Sequence, residues 1–365
     1  SASKKAKAEH FITKFARYYT PAVVFAALAL GLLPPLLGLG SFGMWIQRAL
    51  IFLVVSCPCA LVISIPLSFF GGIGGASRQG ILVKGGNYLE ALAQAGIVVF
   101  DKTGTLTQGR FAVTEAEAAV GSREELLELA ALAEHFSTHP ISRSIQEACP
   151  EADFSRVTQA EELPGRGVRA VVDGRTVLAG NGKLMKEFDV AVPEGGEPAG
   201  TVVYVAADGQ YLGRLVVADQ IKESAPRALQ MLKAEGVGRT VMLTGDAPAV
   251  GQAVGKTLGL DEVHAGLLPG DKVERVEQLL ARKRPGEQLV FVGDGINDAP
   301  VLSRADVGVA MGAMGSDAAI EAADVVLMDD DLTKLPVAVS IARKTLRIVR
   351  QNIVFALGVK FLVLI

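Results

Sequence analysis

An aspartate with the neighbours that phosphoryl transfer needs lies close to residue 100. Asp101 opens the run DKTGTLT, residues 101–107, and the four residues before it have the apolar pattern of a buried strand. A carboxylate at the carboxyl end of such a strand lies where open α/β sheets carry out chemistry. It could accept a phosphoryl group as a nucleophile, with small hydroxylated residues leaving room for phosphate oxygens. A turn-capping Asp is the ordinary alternative for an Asp-Lys pair, and the seven-residue run disfavours it.

Further polar residues follow later apolar strands in the order that such a site requires. Asp294 and Asp298 lie in GDGINDAP, residues 293–300, and their carboxylates could bind Mg²⁺. Thr244 and Gly245 offer a hydroxyl and a backbone amide, and Lys272 offers a point charge. Each alone has a structural explanation, as a turn, a helix cap or a solvated Lys. Their order after successive strands indicates one shared site.

The elements that must position these residues alternate between strand and helix. Short apolar runs at 98–100, 240–243, 289–292, 307–311 and 325–328 are separated by helical segments such as 226–234 and 272–281. This alternation predicts a parallel sheet whose polar strand ends gather along one edge. The fold class is therefore α/β in this part of the chain.

A second folded region is predicted inside the first. About 135 residues separate the strand before Asp101 from the next strand, far more than one crossover helix needs. Asp173-Gly174 and Asp208-Gly209 each lie between alternating strands, which is a strong hairpin signal. Ser122 with Glu125 three residues later predicts a helix start. We expect an inserted α+β domain over roughly residues 109–217.

The composition is that of a membrane protein. Half of the 365 residues are hydrophobic, and the net charge of −3 predicts no binding to nucleic acid. Three cysteines are too few for a disulfide framework.

Residues 21–40 and 49–76 are long enough to span a bilayer, joined by a link at 41–48. Basic residues flank both segments on one side, which predicts cytoplasmic soluble domains. Because the chain opens without Met and stops at Ile365 inside an apolar run, we expect a fragment of a longer multi-pass protein.

A Cys-Pro-Cys sequence interrupts the second predicted span. In a regular helix Cys57 and Cys59 would point to nearly opposite faces, but Pro58 lacks an N–H and can unwind the turn so that both sulfurs face one cavity. Soft thiolates select Zn²⁺, Cd²⁺, Pb²⁺ or Cu⁺ over Mg²⁺ and Ca²⁺. Two buried structural cysteines are the alternative. Lys360 lies in a later apolar segment, where an ammonium is either functional or extends toward the interface.

The residues 101–107 are the phosphorylation signature of P-type ATPases, and the chain resembles that family together with its haloacid-dehalogenase-type core. The resemblance implies that ATP phosphorylates Asp101, that Thr244 and Lys272 contact the phosphate, and that Asn297 supports it. It also implies a Mg²⁺ site made by Asp101, the Thr103 carbonyl and Asp294, with Asp298 behind them.

A nucleotide site is implied for the inserted domain. Residues 134–140, EHFSTHP, look like the Glu-x-x-Ser-x-His-Pro motif of heavy-metal-transporting P-type ATPases. The imidazole of His139 could stack on adenine while the carboxylate of Glu134 accepts a hydrogen bond from its amino group. Gly165, Gly167, Gly180 and Asn181 lie at positions that resemble the remaining nucleotide contacts of the family. Thr103 and Gly245 are the implied nucleotide contacts nearer the phosphate.

The residues after Cys59, ALVISIP, look like the zinc, cadmium and lead branch of the family, in which a Lys at the place of Lys360 works opposite an Asp on the next helix. The implied function is ATP-driven export of these ions. A Cu⁺-transporting ATPase, a phosphatase of the haloacid dehalogenase superfamily and a non-catalytic metal-binding fragment remain alternatives. The sequence Thr-Gly-Glu-Ser is absent, and so we expect the actuator domain and the remaining membrane helices to lie outside this chain.

The predicted domain organisation follows from these assignments. It consists of an approach helix at 1–20, two membrane helices with the metal site at 21–84, the phosphorylation domain in two parts at 85–108 and 218–342, the nucleotide-binding domain at 109–217, and the start of a further membrane helix at 343–365.

Overall fold

The computed structural model describes residues 7–56, 59–193, 200–294, 298–312 and 317–364. Its side-chain description leaves out residues 7–16, 59–61, 317–319 and 363–364. The chain divides into two compact units. Unit 1 comprises residues 1–98, 230–238 and 276–365, and unit 2 comprises residues 99–229 and 239–275.

The described helices and strands are numbered in chain order. The helices are α1 (Lys7–Leu36), α2 (Phe42–Val55), α3 (Cys59–Ser77), α4 (Gly86–Ala93), α5 (Arg123–Ala133), α6 (Pro140–Glu147), α7 (Gly182–Glu187), α8 (Ser224–Ala234), α9 (Pro248–Leu258), α10 (Pro269–Ala281), α11 (Ala299–Arg304), α12 (Asp317–Ala322) and α13 (Lys334–Leu364). The strands are β1 (Ile81–Val83), β2 (Ala95–Asp101), β3 (Thr107–Ala118), β4 (Val157–Leu163), β5 (Gly167–Val172), β6 (Arg175–Gly180), β7 (Thr201–Ala207), β8 (Gln210–Ile221), β9 (Arg239–Leu243), β10 (Glu262–His264), β11 (Gln288–Gly293), β12 (Val307–Met311) and β13 (Val325–Leu327).

Unit 1 contains a sheet with the strand order β1-β13-β12-β11-β2, of which β2 contributes residues 95–98. β11 pairs parallel with β12, and β12 pairs parallel with β13. β1 is antiparallel to β13. The apolar residues of β11, β12 and β13 are fully or almost fully buried, as expected for parallel strands covered on both faces.

The membrane segments of unit 1 differ in part from the prediction. Among the described residues, Arg17–Leu36 is the one helical stretch long and apolar enough to cross a bilayer; it has 20 residues, and its most apolar 18-residue window has a mean hydropathy of 1.7. The second predicted span, residues 49–76, is occupied by α2 and by α3 on either side of residues 57–58. The predicted link at 41–48 is wrong beyond its first residue, because residues 42–48 belong to α2. Ser41 caps this helix by accepting a hydrogen bond from the Met44 N–H.

Helix α13 packs against α3 and α4 in unit 1. The Asn352 side-chain amide of α13 donates to Ser68 Oγ of α3 at 3.1 Å, and Ser68 Oγ in turn donates to the Ser64 carbonyl at 2.7 Å. Side-chain hydrogen bonds of this kind fix the register of apolar helices that have few other directional contacts.

Unit 2 contains a six-stranded sheet with the order β3-β8-β7-β6-β5-β4, antiparallel throughout. Helices α5 and α6 contribute to the apolar core of this sheet through residues such as Leu126, Leu132 and Ile145. The Ser122 side chain caps α5 through the Glu125 N–H, as the sequence predicted. In chain order the strands of this sheet run from β3 to β8, and the boundaries assigned to an inserted domain stay a prediction.

The other strands of unit 2 are the last three residues of β2 followed by β9 and β10 in spatial order. β9 and β10 are parallel. The side chains of Val99 and Phe100 are fully buried. Asp101 follows them as the polar residue that ends β2.

Candidate functional site

Asp101 is paired with a lysine that the sequence places far away. The Nζ atom of Lys272 lies 2.5 Å from Asp101 Oδ1, and the two side chains are 13% and 8% exposed. Lys272 lies in the first turn of α10, where the Asp271 carboxylate accepts a hydrogen bond from the Leu268 N–H at 2.9 Å. A short charge-assisted bond between poorly hydrated groups stabilises the ionised carboxylate, which is the nucleophilic form.

Thr244 directly follows β9 and is 2% exposed. Its hydroxyl oxygen accepts a hydrogen bond from the Asp246 N–H at 3.1 Å, and its own N–H donates to the His264 carbonyl at 3.0 Å. A hydroxyl that accepts in this way still has its hydrogen for donation to a phosphate oxygen. Gly245, in the same turn, is exposed.

The turn after Asp101 is held by an ion-pair cluster that the sequence reasoning missed. Lys102 Nζ lies 2.5 Å from Asp246 Oδ2 and 3.6 Å from Asp219 Oδ2. The Thr107 hydroxyl donates to the same Asp219 oxygen at 2.5 Å. The side chains of Lys102 and Asp219 are 6% and 4% exposed, so that the turn is anchored by charges with little access to water.

Lys222 supports the same turn from the end of β8. Its Nζ atom donates to the Gly104 carbonyl at 2.6 Å, and its backbone N–H donates to the Leu106 carbonyl at 2.9 Å. The available signal for Asp219 and Lys222 was an acidic and a basic residue three positions apart at the end of a long strand. Thr103, whose carbonyl was predicted to bind Mg²⁺, is exposed within this turn.

The acidic residues of the predicted Mg²⁺ site that belong to unit 1 follow β11. Asp294 is half-buried directly after the strand, and Asp298 is 1% exposed where α11 begins. A Cβ atom at Gly293 would lie 3.0 Å from Asp298 Oδ2, so glycine makes room for that carboxylate. Carboxylate donors at a strand end fit Mg²⁺, which prefers oxygen ligands. Asn297 lies outside the described residues.

One cavity in unit 2, of about 210 Å³, brings together every residue predicted from the Glu-x-x-Ser-x-His-Pro motif and the later glycines. Its walls come from the turn between α5 and α6, from the turn between β4 and β5, and from the ends of β6 and β7. The lining residues are Glu134, Ser137, His139, Ile141, Ser142, Glu162, Leu163, Gly165, Arg166, Gly167, Val168, Gly180, Asn181, Thr201, Val202 and Val203.

Glu134 is a buried carboxyl group in this cavity wall, 4% exposed. The Ser142 hydroxyl donates to Glu134 Oε2 at 2.6 Å. Burial raises the pKa of Glu134 to about 7; the Ser142 hydrogen bond opposes this shift, and the negative charge of Glu162 adds to it. The group therefore changes between hydrogen-bond donor and acceptor close to neutral pH.

His139 is the exposed N-cap of α6, and Pro140 takes the first helical position. Its Nδ1 atom accepts a hydrogen bond from the Ile141 N–H at 3.3 Å, which leaves Nε2 as the protonated nitrogen of the neutral ring. The backbone around the ring is thereby fixed while the ring stays accessible at the cavity, as stacking on a base requires.

The glycines of the cavity have a structural cause. Gly167 and Gly180 are register partners of β5 and β6, and a Cβ atom on either would overlap backbone atoms of the other segment. Asn181 caps α7 through its side-chain oxygen and donates from Nδ2 to the Gly165 carbonyl at 2.9 Å. Asn181 thus positions the Gly165 turn, with both ends of its amide engaged within the protein.

The predicted transported-ion site is described only in part. Cys57 and Pro58 lie outside the described residues, and Cys59 is described only as the first residue of α3. The described surroundings are polar: Lys360 Nζ and the Tyr19 hydroxyl both donate to the carbonyl of Ser56, the latter at 2.8 Å. The Lys360 ammonium also lies 4.3 Å from the centroid of the Tyr19 ring.

The α/β fold and the Asp101 site agree with the protein family that the chain matches. The family described as haloacid dehalogenase-like hydrolase matches residues 96–306, which is more than half of the chain. The chain belongs to the haloacid dehalogenase-like hydrolase family.

Relatives narrow this class. The chain is 56% identical over 369 residues to the cadmium, zinc and cobalt-transporting ATPase of Bacillus subtilis (strain 168), covering 100% of this chain and 52% of that protein. It is 55% identical over 366 residues to the zinc-transporting ATPase of Synechocystis sp., covering 99% of this chain and 50% of that protein. The chain spans about half the length of the curated relatives it matches. The predicted resemblance to heavy-metal-transporting P-type ATPases is confirmed.

Solved structures support the same assignment. A zinc-transporting PIB-type ATPase in the E2.Pi state matches with a TM-score of 0.85 and 40% identity, over 97% of this chain and 58% of that one. The catalytic domain of the CPx-ATPase CopB-B matches with a TM-score of 0.54 and 27% identity, over 73% of this chain and 98% of that one. The predicted fold class, an α/β core of the haloacid dehalogenase type within a P-type ATPase, is confirmed.

Proposed function

We propose that this chain carries the phosphorylation site, the nucleotide site and part of the ion path of a P-type ATPase that exports Zn²⁺, Cd²⁺ or Pb²⁺. The observation that carries the proposal is the 2.5 Å ion pair between Lys272 and Asp101 at the end of a buried strand. The transport names of the relatives favour this interpretation over a phosphatase of the same superfamily.

In the proposed reaction, a carboxylate oxygen of Asp101 attacks the γ-phosphorus of ATP. The new bond joins that oxygen to phosphorus, the bond from the γ-phosphorus to the β,γ-bridging oxygen breaks, and ADP leaves with the electron pair. Lys272 and Thr244 stabilise the charge on the phosphate oxygens. The Lys272 ammonium already contacts Asp101, and the Thr244 hydroxyl is already held by the Asp246 N–H.

Asp101, the Thr103 carbonyl and Asp294 are the proposed ligands of Mg²⁺, with Asp298 behind them and Asn297 supporting the phosphate. When bound, Mg²⁺ supplies positive charge to the phosphate oxygens. The support is the donor chemistry of these residues and the room that Gly293 leaves for the Asp298 carboxylate.

The nucleotide is proposed to bind in the 210 Å³ cavity of unit 2, with adenine toward Glu134 and His139. The glycine turn at Gly165 and Gly167 then faces the ribose and phosphates, which reach Thr103 and Gly245 at the phosphorylation site.

The transported ion is proposed to bind the thiolates of Cys57 and Cys59, with Lys360 as the neighbouring charge. Soft sulfur ligands suit Zn²⁺, Cd²⁺ and Pb²⁺, and the relatives named above carry zinc and cadmium in their names. Cu⁺ is the alternative ion. Metal-stimulated ATP hydrolysis compared across Zn²⁺, Cd²⁺, Pb²⁺ and Cu⁺ tests this choice, and stimulation by Cu⁺ alone would overturn it.

The protein is proposed to be a multi-pass membrane protein with both soluble parts in the cytoplasm. The apolar helix Arg17–Leu36 supports membrane insertion. Because the chain spans about half of its relatives, we further propose that an actuator domain and additional helices complete the transporter.

The deciding experiment is phosphoenzyme formation from γ-labelled ATP with Mg²⁺, followed by hydroxylamine treatment. We expect acid-stable, hydroxylamine-sensitive labelling of the wild-type chain and none of Asp101→Asn. Asp329→Asn is the matched control, since Asp329 is an exposed carboxylate elsewhere in the chain. Equal labelling of Asp101→Asn and wild type would refute the assignment.

A further inference from the structure

The nucleotide cavity contains a second carboxylate that the sequence motif does not include. Glu162 lies near the end of β4 and lines the same cavity as Glu134 and His139. The Ser137 hydroxyl lies 3.3 Å from Glu162 Oε1, while Glu162 itself is exposed. A tethered but accessible carboxylate is arranged to accept hydrogen bonds from a ligand.

Side-chain hydroxyls link Glu162 to the base end of the cavity. Ser137 Oγ lies 3.0 Å from Ser142 Oγ, and Ser142 donates to Glu134 at 2.6 Å. Glu162 is therefore separated from Glu134 by two hydroxyl groups in this wall.

The residues that follow Glu162 in sequence form the glycine turn proposed to face the ribose and phosphates. Three residues after Glu162 comes Gly165, where the chain turns toward Arg166 and Gly167, all three lining the cavity. Through Ser137 and through the pairing of β4 with β5, Glu162 adjoins both the groups proposed to bind adenine and the turn proposed to face the ribose and phosphates.

The ribose is the part of ATP that occupies this middle position. It presents vicinal hydroxyls, and an acidic side chain that accepts a hydrogen bond from the 2′-hydroxyl is a recurrent means of ribose recognition. A phosphate group at this position would be repelled by the carboxylate, because both are negatively charged.

We propose that Glu162 accepts a hydrogen bond from the ribose 2′-hydroxyl and makes the site selective for ribonucleotides, with Ser137 as the positioning residue. The inference rests on the proposed nucleotide site and adds the residue that recognises the sugar.

The test compares equilibrium binding of ATP and 2′-deoxy-ATP to the purified whole chain. One charge-assisted hydrogen bond predicts that the wild type binds ATP about tenfold more tightly than 2′-deoxy-ATP. We expect Glu162→Gln to weaken ATP binding to the level of 2′-deoxy-ATP and to leave 2′-deoxy-ATP binding unchanged. Ser137→Ala should reduce the preference in part.

Glu161→Gln is the matched control. Glu161 is the preceding residue on the same strand, so its side chain points to the opposite face, where it lines a separate surface depression with Gln159 and Arg169. This variant should keep the wild-type preference.

Three outcomes would overturn the inference while leaving the nucleotide site intact. They are equal binding of ATP and 2′-deoxy-ATP by the wild type, an unchanged preference in Glu162→Gln, or an equal loss of both nucleotides in that variant, which would indicate a merely structural role. A wild-type chain that binds neither nucleotide would instead refute the proposed nucleotide site, and the inference with it.

Discussion

The ammonium nitrogen of Lys272 lies 2.5 Å from a carboxylate oxygen of Asp101, although 171 residues separate the two in sequence. Both side chains are almost buried. In such a pair the Coulomb attraction and the cost of removing two charges from water nearly balance, whereas removing one partner is strongly unfavourable. The arrangement therefore makes Lys272 important to both folding and reactivity.

We predict that Lys272→Met lowers phosphoenzyme formation by about 100-fold or more, because a charge that stabilises the transferred phosphate is lost. The variant should also lose about 3 kcal/mol of stability, because the almost buried Asp101 side chain loses the ammonium that it contacts. Labelling from ATP and urea unfolding measure the two effects. The double variant Asp101→Asn with Lys272→Met should recover stability but no labelling; additive losses of stability would contradict a direct pair.

Glu134 predicts a pH dependence of local stability. Its pKa is raised from 4.5 to about 7 in the folded chain, chiefly by burial. Between these values the folded state binds more protons than the unfolded state, so this contribution is complete below pH 4.5 and is lost as the pH rises through about 7. The total is on the order of 3 kcal/mol.

Glu134→Gln should therefore remove this dependence and protect α5 and α6 at pH 8 relative to wild type. Amide hydrogen exchange of these helices, corrected for intrinsic pH dependence, is the measurement. Glu161→Gln is the control and should behave as wild type. Identical pH profiles of Glu134→Gln and wild type would show that Glu134 does not titrate in this range.

The Tyr19 hydroxyl predicts an effect on metal binding at the adjoining Cys-Pro-Cys sequence. It donates at 2.8 Å to the carbonyl of Ser56, the residue immediately before Cys57. Loss of one neutral hydrogen bond should weaken Cd²⁺ binding by about threefold to tenfold, because the chain entering the site is less well fixed. Tyr19→Phe keeps the ring against Lys360 and removes only the hydroxyl.

Titration of the thiolate-to-cadmium charge-transfer band measures this affinity in the purified chain. Tyr18→Phe is the matched control, since Tyr18 is 69% exposed and adjacent in sequence. If the two variants bind Cd²⁺ equally well, the Tyr19 hydroxyl has no part in organising the site.

Gly72 predicts a packing defect between α3 and its neighbours. A Cβ atom there would overlap the Thr345 hydroxyl of α13 and would lie 2.9 Å from Leu89 Cδ2 of α4. Gly72→Ala should therefore destabilise the chain by about 1–3 kcal/mol, because the helices must separate.

Gly71→Ala is the control, because a Cβ atom at Gly71 meets no atom within 4 Å. Its helix propensity predicts a neutral or slightly stabilising effect. Thermal unfolding compares the two variants, and equal transition temperatures would show that α3 and α13 can move apart at no cost.

Much of this architecture was predictable because it depends on local and periodic features. The strand before Asp101, the cap at Ser122 and the Asp-Gly hairpins follow from apolar runs and turn chemistry within a few residues. The link before α2 was mispredicted at 41–48 because an apolar count does not register that Ser41 can cap a helix starting at Phe42.

The sequence by itself determined which side chains are available for chemistry and the strand ends at which several of them lie, because residue types and hydrophobic periodicity are properties of short segments. Only the tertiary structure decided that Lys272 meets Asp101, that Lys102 is held between Asp219 and Asp246, and that Glu162 joins the cavity of Glu134. These contacts join residues distant in sequence, and their geometry depends on how strands and helices pack, which no short stretch of sequence specifies.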